Sequence, residues 1–148
     1  MAQPKESIAR HWRGIENRNR FTATGCPFCL WVTQEDYVGG VCPQCRFGLC
    51  REVQLAKQGT LYSWTRVYEP PAGFEEFAPY YIGMFEVVAR IGDSVVKVKV
   101  VARITDMMFT DRIPDINDVD QYEAVLRRLS SDGNRGLITY GTAFRLAQ

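Results

Sequence analysis

Residues 26–45 read CPFCLWVTQEDYVGGVCPQC, two Cys-Pro-x-Cys units separated by twelve residues. Two residues between cysteines put both thiolates on one tight knuckle. Two knuckles supply the tetrahedral four-sulfur shell that Zn²⁺ prefers. Cys26, Cys29, Cys42 and Cys45 are therefore expected to ligate zinc, and iron satisfies the same thiolate geometry. Two disulfides or a redox-active pair would draw on the same residues. A redox motif does not require a second matching pair, and a cytosolic setting disfavours structural disulfides. A closed four-thiolate shell keeps no open position for water or substrate, so the metal is expected to be structural. The intervening LWVTQEDYVGGV, with Gly39-Gly40 inside it, is expected to be the hairpin or loop joining the knuckles of a rubredoxin-like zinc ribbon. Cys50 lies outside the repeat and reads as a small buried hydrophobe, with no nearby histidine to activate it.

On the N-terminal side, residues 5–20 have helical spacing: Ile8, Trp12 and Ile15 fall at i, i+4 and i+7 on one face. That stripe is expected to pack on its own domain, with docking to a partner as the sharper alternative. On the C-terminal side the period changes to two. GTLYSWTRVY from Gly59 and PYYIGMFEVVARI from Pro79 read as strands, and Gly92-Asp93 as a turn. In SVVKVKVVARIT, Val96, Val98, Val100, Ala102 and Ile104 share one face while Lys97, Lys99 and Arg103 share the other. Three prolines and a glycine make EPPAGFEEFAP a long ordered loop. YEAVLRRL is read as a strand, and Asp132-Gly133 followed by LITYGTAFRL as a closing hairpin. The expected class is mainly β: a helical segment over 1–22, a zinc ribbon over 23–54, and a five-stranded OB-fold barrel over 55–148.

Composition narrows the chemistry. The 148 residues carry 18 Lys+Arg against 17 Asp+Glu, a formal net charge of +1. A dedicated nucleic-acid binder is usually strongly basic, and an acidic disordered chain would lack the 46% hydrophobic content found here. Four metal-bound thiolates and a dication would bring the holo-protein to 1 − 4 + 2, about −1. Near-neutrality hides a split. Residues 1–20 sum to +3, whereas 106–123 carry Asp106, Asp111, Asp115, Asp118, Asp120 and Glu123 against Arg112, or −5. No apolar run approaches the roughly 20 residues of a membrane span, and MAQPKESIARHWR lacks a signal-peptide core, so a cytoplasmic protein is expected.

Three classes of function meet these residues. A binding module would use Trp12 and Ile15 on the helix and Phe77 in the loop, where rigid aromatics stand among prolines. The same loop aromatics also suit a lid over the open end of the barrel. A single-stranded nucleic-acid binder would stack bases on Tyr62, Trp64 and Tyr68 and track phosphates with Lys97, Lys99 and Arg103, which a solvated strand face explains more simply. An enzyme finds little support: His11 is the only histidine and has no nucleophile at a motif-like spacing, and there is no phosphate-cradling glycine loop. No catalytic residue is assigned.

The ordered set of features resembles the zinc-ribbon plus OB-fold family long catalogued as domain of unknown function 35, which accompanies thiolases and related acyl-CoA enzymes. It runs through nearly the whole chain: HWRGIENRNRF, both knuckles, Gly59–Thr65, Pro70–Phe74, Ala78-Pro79-Tyr80, Ile104-Thr105-Asp106, Gly136–Gly141 and Phe144-Arg145. The PPxGF…APY loop and the YGxxFR ending are most similar to archaeal-type members. The resemblance implies a scaffold without catalytic residues, bridging acetoacetyl-CoA thiolase and HMG-CoA synthase in the mevalonate pathway and passing the acyl-CoA intermediate between them. Accessory subunits of an acyltransferase or hydratase are the related alternative. The resemblance and position also nominate Pro71, Phe74, Pro79, Tyr80 and Tyr140 as walls of a channel for the coenzyme A pantetheine arm, with the thioester shared with the partners. One departure stands out: family knuckles are usually followed by glycine, whereas Leu30 and Arg46 follow these.

Overall fold

The computed structural model describes residues 8–13, 15–35, 37–107, 114, 116, 121–132 and 137–147. In chain order the elements are α1 (Ile8–Arg13), α2 (Ile15–Asn19), β1 (Thr22–Gly25), β2 (Val32–Thr33), β3 (Arg51–Val67), β4 (Tyr80–Ile91), β5 (Ser94–Ile104), β6 (Gln121–Asp132) and β7 (Leu137–Leu146). The period-two pattern of β5 does what it predicts. Val100 and Ile104 are buried while Val95, Lys97, Lys99 and Val101 face outward. YEAVLRRL falls within β6 and pairs antiparallel with β7, with Ala124 opposite Phe144 and Arg128 opposite Tyr140. Residue 133 of the expected turn lies outside the described residues.

Strands β3-β4-β5-β7-β6 form a sheet that closes when β6 returns to β3 through Gln58–Thr60. Only the β5–β7 contact is parallel, at Ile104 opposite Phe144; the other barrel pairs are antiparallel. This is a closed five-stranded barrel of OB type. The closure needs Gly59, which pairs with Val87 on one side and Tyr122 on the other. A Cβ there would sit 2.7 Å from Val87 Cγ1 and 3.1 Å from the Glu86 carbonyl oxygen, so no side chain fits where the strand is shared. Inside, Phe85 stacks on Phe144 at 4.1 Å between ring centroids and meets Tyr122 at 5.2 Å. Leu55, Leu61, Val87 and Val100 complete the buried set.

β3 also belongs to the ribbon. Its residues Arg51–Gln54 pair with β1, and pairing with β4 begins at Leu55. The 54/55 position thus falls inside one continuous strand.

Two expectations are corrected. The knuckles are not joined by one hairpin; each is the turn of its own. β1 and β2 flank the first knuckle, with Gly25 opposite Val32. The second lies between Gly40–Cys42 and Gly48–Cys50, tied by Cys42 N–H to Gly48 O and Cys50 N–H to Gly40 O, both at 2.9 Å. The single helix expected over 5–20 is, among the described residues, two short ones. Ile8 and Trp12 on α1 are 57% and 68% exposed, so that part of the stripe does not pack on its own domain. α2 lies beside β7, where Ile15 is half-buried. Among the described residues no helix is long and apolar enough to cross a membrane.

Candidate metal centre and the loop above the barrel

The two knuckles are near-copies. In each, the N–H after the second cysteine returns to the carbonyl of the first: Leu30 to Cys26 at 3.0 Å and Arg46 to Cys42 at 2.9 Å. Closing that turn puts Leu30 at φ 60° and Arg46 at φ 56°, the left-handed region that favours glycine. The substitution of non-glycine residues at these sites changes the cost of the turn, not its shape. Proline after each first cysteine presets the turn.

The four sulfurs lie within 4.8 Å of one another, and the Cys26–Cys45 and Cys29–Cys42 pairs are each 3.7 Å apart. A tetrahedron with Zn–S bonds of about 2.3 Å has edges of about 3.8 Å. The separations and the donor set fit a zinc ribbon, and the cluster could hold a metal ion such as zinc. The cysteines are free thiols, not disulfides. Cys26 and Cys42 are fully buried with Cys50 beside them, Trp31 packs against the cluster, and Cys29 is open to solvent.

The surrounding amides prepare these sulfurs for a cation. Backbone N–H groups of Phe47 and Gly48 pull the Cys45 thiol down to about 6. Cys42 is also lowered: burial opposes this, but the amides of Cys45 and Gln44 and the neighbouring thiols prevail. At Cys29 the Trp31 amide lowers the thiol, yet the partial loss of water around the sulfur and hydrogen bonding with the other three sulfurs together push it up to about 12. Hydrogen bonding among the sulfurs thus helps hold the proton on Cys29. A dication takes that proton's place, so metal binding releases protons and strengthens as pH rises.

The other nominated residues form a looser group. In the β3–β4 loop the rings of Phe74 and Tyr80 lie 6.2 Å apart, while Pro71 and Pro79 are exposed and the Ala78–Pro79 peptide is cis. Tyr140 stands on β7 opposite Arg128, and Arg128 in turn meets Glu76 of the loop at 2.7 Å. Phe77, at the end of the 3₁₀ turn Glu75–Phe77, is half-buried against the chain's own cations: the guanidinium carbons of Arg103 and Arg128 lie 4.1 and 5.5 Å from its ring centroid. Trp12 and Ile15 are on the helical segment, one exposed and one half-buried.

Sequence reasoning missed two features. Phe28 and Phe47 are 63% and 82% exposed, meeting edge to face at 5.6 Å on the ribbon. Arg103 shares the strand face of Lys97 and Lys99 yet is half-buried beneath the loop. The cations expected to track phosphates are engaged by the chain itself: Lys99 lies 3.7 Å from the Tyr62 ring centroid and Lys97 pairs with Glu86 at 2.7 Å. Trp64 is half-buried against Tyr81. Part of the acidic stretch is neutralised as well. Asp106 accepts from Arg127 at 2.5 Å, and Glu123 pairs with Arg145. Asp111, Asp115, Asp118 and Asp120 lie outside the described residues.

A four-cysteine ribbon on a closed OB barrel defines the class of the protein. Residues 52–110 match the family described as ChsH2, C-terminal OB-fold domain. The chain is 32% identical over 139 residues to a DUF35 domain-containing scaffold protein of Methanocaldococcus jannaschii, covering 93% of this chain and 89% of that one. A DUF35 domain-containing scaffold protein of Methanothermobacter thermautotrophicus is 28% identical, with 92% and 93% covered. One of Pyrococcus furiosus is 27% identical, with 98% and 96% covered. The chain belongs to the DUF35 family. Among solved structures, the Ltp2-ChsH2(DUF35) aldolase shares the fold, with a TM-score of 0.57 at 19% identity, over 99% of this chain and 100% of that one.

Proposed function

We propose that the protein is a non-catalytic scaffold subunit of an acyl-CoA enzyme complex. The observation that carries this reading is the 32% identity, over 93% of the chain, to a DUF35 scaffold protein. The site chemistry supports it: four thiolates saturate a tetrahedral metal, leaving no position at which substrate could coordinate. In this reading zinc, held by Cys26, Cys29, Cys42 and Cys45, fixes the ribbon, and the barrel with its β3–β4 loop presents a second surface. In its finer form the proposal makes the protein the bridge between a thiolase and an HMG-CoA-synthase-like enzyme in the mevalonate pathway. Holding two active sites around one thioester raises the effective concentration of the intermediate at the second. Pro71, Phe74, Pro79, Tyr80 and Tyr140 are then assigned to the pantetheine channel, and Trp12, Ile15 and Phe77 to partner docking. The neighbour named Ltp2-ChsH2(DUF35) aldolase offers an aldolase as another partner class for the same scaffold.

Affinity purification of the tagged chain from its native host tests this. Thiolase and synthase activities should co-elute with it, while the isolated chain shows neither. Recovery of a different acyl-CoA enzyme would keep the scaffold and replace the partners. Recovery of RNA or DNA alone would overturn the reading.

A further inference from the structure

We infer that Arg103 and Arg128 form an oxyanion site that takes a phosphoryl group, with Phe77 standing in it as a displaceable plug. Arg103 Nη1 is the buried side-chain nitrogen or oxygen that finds no hydrogen-bond partner among the described residues. Buried donors are almost always paired, so an orphan marks a place where a partner belongs. The other terminal nitrogen of Arg103 donates to the Arg128 carbonyl at 2.6 Å, which fixes the guanidinium and aims the orphan.

Phe77 is a poor substitute for that partner. Its ring engages the guanidiniums of Arg103 and Arg128 at 4.1 and 5.5 Å but offers no lone pair to an N–H. Two guanidiniums from neighbouring parts of the barrel therefore share one ring, with Glu76 reaching Arg128 at 2.7 Å. Asp106, the other carboxylate that acts on Arg103 among the described residues, is held by Arg127 at 2.5 Å. Burial, with the Arg128 charge adding to it, draws the Arg103 guanidinium below its ordinary value.

The plug is weakly rooted. The 3₁₀ turn that carries Phe77 has no buried residue, and the Glu76–Arg128 pair is substantially open to water. A carboxylate can be satisfied by one guanidinium fork, whereas a phosphoryl group has enough oxygens and charge to serve two arginines and the orphan N–H at once. The site uses only this chain's residues and stands whichever enzymes the scaffold holds. Free phosphate and the phosphates of coenzyme A share the required chemistry.

Titration calorimetry of the full, metal-loaded chain with inorganic phosphate and with coenzyme A, against chloride at equal ionic strength, tests the site. Phe77→Ala should bind at least one of the two about tenfold more tightly than wild type, and Glu76→Gln should bind it a few-fold more tightly. Adding Arg103→Lys to Phe77→Ala keeps the charge and the fold but loses the fork, and should abolish most of the gain. Tighter binding of coenzyme A than of phosphate identifies the carrier as the source; equal binding identifies free phosphate. Phe77→Ala binding no more tightly than wild type, or the double variant binding as tightly as Phe77→Ala, would overturn the proposal. Thermal melts of each variant separate a lost site from a lost fold.

Discussion

The ribbon and the barrel are built inside out with respect to each other. The barrel buries its large hydrophobes: Phe85, Phe144, Leu55 and Val87 have almost no exposure. The ribbon buries Cys26, Cys42 and Cys50 and leaves Phe28 and Phe47 outside. About 30 residues cannot enclose an apolar core, because too little of their surface is removed from water on folding. Coordination supplies the missing cohesion. The barrel, with roughly three times the chain, draws its stability from packing. Yet the two are not separable by a cut, since β3 starts as a ribbon strand on β1 and continues as a barrel strand on β4 and β6.

The largest expected effect breaks one side of that comparison. Cys42→Ser removes a fully buried ligand and leaves three thiolates to compensate a dication. Structural zinc contributes about 10–16 kcal/mol of apparent binding energy in small zinc domains, so the ribbon should lose both metal and order. The barrel should persist, because the contacts of Phe85, Phe144 and Tyr122 do not involve the cluster. Metal analysis together with amide NMR spectra checks this. Full metal content with unchanged melting in Cys42→Ser or Cys26→Ser would refute a structural site.

Phe85→Ala breaks the other side. The ring is fully buried, stacked on Phe144 and tilted against Tyr122. Emptying such a position costs about 3–5 kcal/mol. Urea denaturation should register that loss while metal stoichiometry in the folded fraction stays at one. A matching loss of metal would mean the two regions are coupled through β3 more tightly than their separate cores suggest.

The difference between the regions also explains what could be read from the sequence. The tetrad was legible because metal coordination fixes residue type and spacing together, so Cys26, Cys29, Cys42 and Cys45 announce themselves in one dimension. β5 was legible because its alternation is local. Arg103 was not. Its parity with Lys97 and Lys99 suggests a solvated face, and only the tertiary path of the β3–β4 loop brings Phe77 over it. Of the two readings of the segment between the knuckles, the loop holds and the hairpin does not, for a related reason: Gly39-Gly40 looks like a turn joining two strands, but register is set by which carbonyls the knuckle amides reach. Exposure of Trp12 was equally hidden, since helical spacing gives a stripe without saying what covers it.

A smaller effect sharpens the likeness between the knuckles. Arg46→Gly and Leu30→Gly place glycine where φ is 56° and 60°. Relief of the left-handed penalty is about 1–2 kcal/mol per residue, partly offset by the greater freedom of glycine in the unfolded chain. A net gain of about 0.5–1 kcal/mol in the metal-loaded protein is expected from melting curves. Arg46→Ala should show no such gain, because alanine keeps the Cβ. Equal gains from glycine and alanine would assign the effect to the lost side chain and not to the backbone.

The smallest effect concerns a charge at the barrel's rim. Asp106 is held below its ordinary carboxylate value, chiefly by its hydrogen bond from Arg127, with Thr105 and Arg145 contributing. A depressed carboxylate adds stability that is fully present above the unfolded value near 3.8 and is lost as pH falls through the lower folded value. Because both Asp106 and Arg127 are more than a third exposed, water screens the pair and the contribution is about 0.2–1 kcal/mol. Asp106 also has φ 58°, a conformation asparagine accepts readily, so Asp106→Asn removes charge without adding backbone strain. Wild type should therefore exceed this variant in stability by a constant small margin between about pH 5 and 7, shrinking as acid protonates the carboxylate. In high salt the margin should shrink at neutral pH too, whereas the penalties of Cys42→Ser and Phe85→Ala should not. A margin that persists in both acid and high salt would trace the role of Asp106 to its turn geometry, and the rim would then resemble the knuckles, where backbone conformation and not charge sets the cost.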